Sequence, residues 1–185
     1  MGNGELLIKL TIWGAFAGYA AGTAAFALSR GRRGWDRAAR VSWTVACAAM
    51  LAHAACAFHF YHRWSHEAAY LDTARQTDEV FGLDWGGGLY VNYALLAGWV
   101  LDVTWWWLAG LDSYRRRPRS LVAAWHGFLM FIIFNSTVVF KAGAARWAGL
   151  FLCLGLCLAW WLAARDNLFG GRGGGALAAA EDCNA

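Results

Sequence analysis

Residues 87–111 read GGLYVNYALLAGWVLDVTWWWLAGL, a run with a single charged side chain, Asp102. A helix rises about 1.5 Å per residue, so about 20 apolar residues cross the hydrocarbon core of a bilayer. Backbone groups in lipid must bond within their own segment, so such a run predicts a helix. The sequence therefore predicts an all-α, polytopic integral membrane protein with a five-helix transmembrane bundle. Its five predicted spans are residues 6–29, 41–61, 87–111, 121–140 and 147–164.

The composition agrees with one transmembrane helical domain over residues 1–168. Hydrophobic residues make up 59% of the 185-residue chain and charged residues 15%, against about 25% charged in ordinary soluble domains. Residues 169–185 are rich in Gly and Ala and predict a flexible cytoplasmic tail. The chain carries no nucleic-acid-binding module, P-loop or dinucleotide fingerprint, so the expected partner is the lipid bilayer.

Basic residues are distributed unevenly between the two ends of the predicted spans. The connectors after the first and third spans, with the segment after the fifth, carry eleven basic residues against five at the other end. Basic residues stay cytoplasmic, which predicts an external N-terminus and a cytoplasmic C-terminus. A cleaved signal peptide over residues 1–27 is the alternative for the first run. A signal peptide carries its positive charge before the apolar stretch, whereas here the charge follows it.

The second helix is predicted to be unusually long. From Trp35 to Phe81 the chain contains neither Gly nor Pro, the residues that most often end helices. The helix should then extend beyond the membrane to about Gly82. His59, His62 and His66 follow steps of three and four residues, which would return them to one face of that helix.

This histidine row is the candidate metal site. Histidines three or four residues apart on a helix can hold one metal ion, and neutral imidazole suits Zn, Cu or Fe. The alternative is an interfacial packing seam, because the polar tip of a histidine reaches water at the headgroup level. An intrachain bis-His haem is disfavoured, since His126 and His53 differ by roughly 9 Å in predicted depth.

Other polar side chains fall inside the predicted spans. Asp102 and His126 should lie at comparable depth in the inner half of the bundle. An ionisable residue at such depth costs about 2.5–3.5 kcal/mol and is usually paired, so these two are predicted to contact each other. That contact would be either a structural hydrogen bond between helices or a functional pair that transfers protons or binds a ligand. The full set of polar candidates inside the spans is His53, Asn92, Asp102, His126 and Asn135.

Gly14, Gly18 and Gly22 repeat every four residues in the first span. Such a smooth stripe lets another helix approach closely, either the alanine-rich second span, a second copy of the chain or a partner membrane subunit. Three functions fit these patterns. They are a membrane metalloenzyme or redox protein with an outer histidine site, a proton or small-solute transporter using a His/Asp pathway, and a non-catalytic accessory subunit.

Overall fold

The computed structural model describes residues 3–28 and 33–169, with side chains at all of these positions except 28, 33, 145 and 162–169. All secondary structure in this part of the chain is helical, which confirms the predicted all-α class. The predicted flexible tail lies outside the described residues beyond position 169. The elements are α1 (Asn3–Leu28), α2 (Arg33–Phe60), α3 (His66–Phe81), α4 (Gly88–Arg115), α5 (Arg119–Phe134), a π-helical turn (Asn135–Val139) and α6 (Ala144–Phe169).

Four helical segments are long and apolar enough to cross a membrane: Asn3–Ala27, Gly34–Phe60, Gly88–Arg115 and Arg119–Val139. Only 17–22% of the residues in each apolar window are buried within the bundle. Most of their apolar side chains therefore face outwards, as suits lipid and not water. The fifth predicted span lies in α6, which has 26 residues and contains the shorter apolar segment Arg146–Trp161.

Helices α1 and α2 form the most extensive interface of the bundle. A Cβ atom added to Gly18 would lie 2.9 Å from the Ala46 Cβ, and one added to Gly22 would lie 3.3 Å from the Trp43 backbone nitrogen. At Gly14 the corresponding distance, to Ala49 Cβ, is an ordinary contact of 3.7 Å. The glycine stripe is thus covered by α2 of the same chain, and the close approach depends on its second and third members.

The second helix does not continue to Gly82, so the prediction of one long helix is wrong. Helix α2 ends at residue 60, and residues 61–65 form a bend. In this bend Arg63 and Trp64 adopt left-handed backbone conformations, with φ of 47° and 63°. Ser65 then caps a separate helix, because its side-chain oxygen accepts a hydrogen bond from a backbone N–H of α3. Gly82, with φ of 66°, ends α3 where the long helix was predicted to end.

Helix α3 lies across one end of the bundle. Its first half contacts the start of α4 through the rings of Tyr70 and Tyr90, whose centroids are 6.3 Å apart. Its last residue, Phe81, contacts Phe140, which follows the π-helical turn, at 6.0 Å. Thr77 on the inward face of α3 is buried. The segment predicted to project from the membrane therefore folds over the helix ends.

Helix α4 is interrupted at Gly110, where φ is 76° and ψ is 173°. This backbone conformation is essentially restricted to glycine. The Tyr114 hydroxyl lies 2.8 Å from a carboxylate oxygen of Asp102, twelve residues earlier in the chain. In a straight helix two residues so separated would be about 18 Å apart along the axis. The chain therefore folds back at Gly110, next to the predicted end of the third span at residue 111.

Candidate functional site

Asp102 accepts hydrogen bonds from three different side chains. The Trp43 indole Nε1 and the Tyr114 hydroxyl both donate to Oδ2 at 2.8 Å, and the Arg117 guanidinium donates to Oδ1. The side chains of Arg117 and Asp102 are only 5% and 8% exposed. A buried carboxylate needs both a counter-charge and hydrogen-bond donors, and here it has both. The carboxylate joins α2, α4 and the segment that follows the Gly110 reversal.

Arg117 is held against the segment that folds back. Its Nε donates to the Tyr114 carbonyl oxygen at 3.0 Å, and its guanidinium carbon lies 3.4 Å from the centroid of the Tyr114 ring. That ring in turn stacks on Trp106 with centroids 4.0 Å apart and an interplanar angle of 11°. A guanidinium over an aromatic face gains a cation–π attraction. These contacts hold the Arg117 guanidinium in place beside the Asp102 carboxylate.

Asp102 and His126 do not form the predicted direct pair. No hydrogen bond or ion pair joins these two described side chains, and His126 Nδ1 instead lies 3.2 Å from the Tyr19 hydroxyl. Trp43 stands between them, since its N–H donates to Asp102 while its ring centroid lies 5.5 Å from that of His126. The prediction failed because Arg117 was counted only as a connector charge, whereas the fold returns it to the bundle interior.

His126 is enclosed by aromatic rings. Tyr19 and Trp43 flank it from α1 and α2, and Trp160 of α6 packs edge-on at 4.5 Å between centroids. Tyr19 is 1% exposed, one of the most deeply buried large side chains in the described part of the bundle. The Tyr19–His126 hydrogen bond therefore ties α1 to α5 inside an aromatic layer.

An apolar layer separates this region from His53. The Nδ1–H of His53 donates to the Ile8 carbonyl oxygen of α1 at 3.1 Å. Between the two histidines lies a cavity of about 10 Å³, which has room for at most one water molecule. The surface of this cavity is entirely apolar. The lining side chains are Phe16, Tyr19, Met50, Leu95, Trp99, Leu129, Ile132 and Ile133.

The break after α2 removes the helical face that His59, His62 and His66 were predicted to share. His66 now begins α3, and its Nδ1 lies 3.0 Å from the Tyr93 hydroxyl, with the two rings stacked at 5.9 Å. His62 packs edge-on against Phe58 at 5.6 Å. His59 lies against neighbouring rings of its own segment. The three imidazoles therefore contact aromatic partners.

No group of three His, Cys, Asp or Glu side chains could hold a metal ion among the residues whose side chains the structure describes. Of the two asparagines among the polar candidates inside the spans, Asn92 is exposed near the start of α4. Asn135 donates from Nδ2 to the Phe131 carbonyl oxygen of its own helix at 2.8 Å. A metal centre at His59, His62 and His66 stays a prediction from sequence.

The π-helical turn accommodates close packing of α6. A Cβ atom on Gly149 would lie 2.1 Å from Thr137 Oγ1, so only glycine fits there without a shift. Arg146 donates from Nε to the carbonyl oxygens of Val138 and Lys141, both at 2.9 Å. Although π turns frequently mark functional sites, here the carbonyls at its end are bound by this arginine. The turn serves the α5–α6 contact.

At the connector end of the bundle, where the arginine-rich connectors after the first and third predicted spans lie, charged and aromatic side chains join α2 to α4. Asp36 of α2 is buried and pairs with Arg115 at 2.5 Å. Trp107 donates from Nε1 to the Thr44 hydroxyl at 3.0 Å, and Arg40 lies over the Trp107 ring at 4.0 Å. Residues 33–40, predicted to be a connector, are thus the first turns of α2 and belong to the packed bundle.

The three ionisable residues among the five polar candidates within the spans all bind a neighbouring helix. His53 binds α1, His126 binds α1, and Asp102 binds α2 together with Arg117 beyond the Gly110 reversal. Trp43, Tyr114, Arg117 and Tyr19 complete these contacts and were not singled out as partners from the sequence. No protein-family model, curated protein or solved structure matches this chain.

Proposed function

We propose that this chain is a five-span membrane protein, with its N-terminus outside and its C-terminus in the cytoplasm, that acts as a non-catalytic accessory subunit of a membrane assembly. The observation that supports this function is the use of His53, Asp102 and His126 as ties between helices. Hydrogen bonds between helices help membrane bundles to associate. A rigid bundle fixed in this way suits a scaffold.

The Asp102 contacts argue against a proton or solute pathway. A proton carrier has to exchange its proton during each cycle, whereas this carboxylate is engaged by Arg117, Trp43 and Tyr114 at once. All three contacts hold the carboxylate within the bundle and leave it in a fixed position between α2 and the segment after Gly110. The small cavity near Tyr19 and Met50 has an apolar lining, which supports the accessory role over a polar route through the bundle.

The accessory role is tested on the full chain, extracted from its native membrane in a mild detergent. We expect native gel electrophoresis to show a defined complex larger than the monomer and its lipid belt. Liposomes containing the purified chain should conduct protons no faster than protein-free liposomes. A monomer that conducts protons, with the conductance lost in Asp102→Asn, would replace the accessory role by a transporter.

The orientation is tested separately by labelling single cysteines in a cysteine-free background. Gln76 on α3 and Ser120 at the start of α5 are both exposed in the bundle, so each position accepts a thiol reagent. A reagent that cannot cross membranes should label Gln76→Cys in intact cells and Ser120→Cys only after the membrane is opened. The reverse pattern would invert the proposed topology, which rests on the distribution of basic residues.

The second candidate function is the outer histidine site, as part of a metalloenzyme or redox protein holding Zn, Cu or Fe. The observation that favours it is the bend between His62 and His66, where Arg63 and Trp64 are both left-handed. Each such non-glycine residue costs about 1–2 kcal/mol, and strain of this kind clusters at functional sites. The strained bend lies between His62 and His66, so the backbone strain falls within the predicted site.

Metal content per chain tests this second candidate after purification without a histidine tag. If the site exists, the wild type should retain metal while His62→Ala and His66→Ala lose it, because the remaining ligands hold a divalent ion weakly. His53→Ala is the control, since His53 binds the Ile8 carbonyl instead. A wild type that holds no Zn, Cu or Fe even after reconstitution would exclude the metal site and leave the accessory role.

A further inference from the structure

A cavity of about 190 Å³ opens at the connector end of the bundle, between the first turns of α2 and the reversal of α4. A water molecule in the liquid occupies about 30 Å³, so the cavity has room for a polar headgroup fragment. Trp106 and Leu111 form its apolar wall. Its polar lining is Asp36, Arg37 and Arg40.

The charges around this cavity leave an excess of positive charge. Asp36 is neutralised by Arg115, whose guanidinium lies 2.5 Å from the carboxylate. Arg40 lies over the Trp107 ring, and Arg37 is exposed. Within the described part of the chain, neither Arg37 nor Arg40 forms an ion pair with a carboxylate. Among the described side chains, two guanidinium groups therefore line the cavity beside one carboxylate, that of Asp36, which is already paired with Arg115.

We propose that this cavity binds the phosphodiester of an anionic phospholipid headgroup. Guanidinium groups match phosphate oxygens with paired N–H donors, and stacking on Trp107 limits the freedom of Arg40. Tryptophan rings prefer the headgroup level of a bilayer, which is where a lipid phosphate lies. The apolar wall of Trp106 and Leu111 suits the glycerol and acyl side of the same lipid.

The lipid source rests on the orientation proposed above, because anionic lipids are concentrated in the cytoplasmic leaflet. The binding of a phosphate group by Arg37 and Arg40 does not depend on that orientation. Symmetric nanodiscs present the same headgroups to both ends of the protein, so binding there is independent of orientation. Failure of the cysteine-labelling experiment and failure of lipid binding are therefore distinguishable.

The experiment uses the full chain in nanodiscs of equal parts phosphatidylglycerol and phosphatidylcholine, with the lipids retained after gentle release identified by native mass spectrometry. A surface arginine contributes about fivefold to binding of an anionic lipid. We expect Arg37→Gln and Arg40→Gln each to lower phosphatidylglycerol retention by about this factor. Arg116→Gln and Arg119→Gln are the matched controls, since both residues are exposed near this end but do not line the cavity.

Inorganic phosphate distinguishes the two sources of the phosphate group. Displacement of the lipid by phosphate, with the same dependence on Arg37 and Arg40, would support an anion site that also accepts free phosphate. Retention unaffected by phosphate would support the lipid headgroup. Equal retention of both lipids by the wild type, or equal losses in the Arg116 and Arg119 controls, would overturn the proposal. Arg37→Gln changes an exposed side chain, and an unchanged melting temperature checks its fold.

Discussion

Replacement of Arg117 by Ala tests whether the Asp102 contacts hold the bundle together. The change removes the counter-charge of a carboxylate that is only 8% exposed. It leaves the Trp43 and Tyr114 hydrogen bonds to that carboxylate in place. The variant therefore isolates the contribution of the charged partner from that of the neutral donors.

The expected loss follows from these contacts. Removal of one partner of a buried ion pair costs about 3–5 kcal/mol. The cation–π contact of Arg117 with Tyr114 adds about 0.5–2 kcal/mol, whereas the two remaining donors reduce the penalty on the carboxylate. A net loss of about 3–5 kcal/mol is expected, a large part of the 5–15 kcal/mol that stabilises a typical protein.

The measurement is reversible unfolding by sodium dodecyl sulfate in mixed micelles, followed by circular dichroism. Asp102→Asn should cost as much as Arg117→Ala, since it leaves the arginine charge buried. The double variant should lose less than the sum, with a coupling energy of about 2–3 kcal/mol. Arg116→Ala is the matched control, because Arg116 belongs to the same connector but is exposed.

Two results would refute this reasoning. Losses that add within about 0.5 kcal/mol would mean that Asp102 and Arg117 act independently. A loss in Arg117→Ala no larger than that in Arg116→Ala would mean that the arginine is not buried in the folded protein.

Three further variants, two of them with a matched control, test the local geometry by the same unfolding measurement. Gly110→Ala should cost about 1–3 kcal/mol through backbone strain alone, since no atom lies within 4 Å of the added Cβ. Gly127→Ala, equally open but without positive φ, should be neutral or stabilising. Gly18→Ala should destabilise the α1–α2 contact while Gly14→Ala does not, because the added Cβ has room only at Gly14; equal effects would contradict that packing. Ser65→Ala should cost about 1 kcal/mol through loss of the α3 cap and leave the α2 backbone intact, and an unchanged stability would argue against the break.

The apolar runs were sufficient to place the four long apolar helices, because the requirement for about 20 apolar residues leaves few alternatives in a sequence this hydrophobic. The predicted third span, residues 87–111, ends within one residue of the Gly110 reversal. The prediction for residues 33–40 was less accurate. These residues carry several arginines and were read as a connector, yet the Asp36–Arg115 ion pair incorporates them into α2.

The break at residues 61–65 was missed because the absence of Gly and Pro was taken as evidence for a continuous helix. The sequence did contain a start signal, since Ser65 is a preferred N-cap residue and Glu67 places a negative charge in the first turn. A left-handed bend at Arg63 and Trp64 has no such signal, because neither residue favours that conformation. Local preference alone does not explain this bend, which is the reason that the outer histidine site is retained as a candidate.

The partner of Asp102 could not be identified from the positions of the predicted spans alone. Depth in the membrane pointed to His126, because both residues fall in the inner half of adjacent spans. An estimate of depth from span positions places a connector arginine outside the bundle. In the structure the chain reverses at Gly110 and returns Arg117 to the Asp102 carboxylate. Electrostatics favours this outcome, since a buried carboxylate gains more from a guanidinium than from a neutral imidazole. In this chain, a span carboxylate followed by a glycine and then by arginines is paired with an arginine that folds inward, and not with a histidine on the next helix.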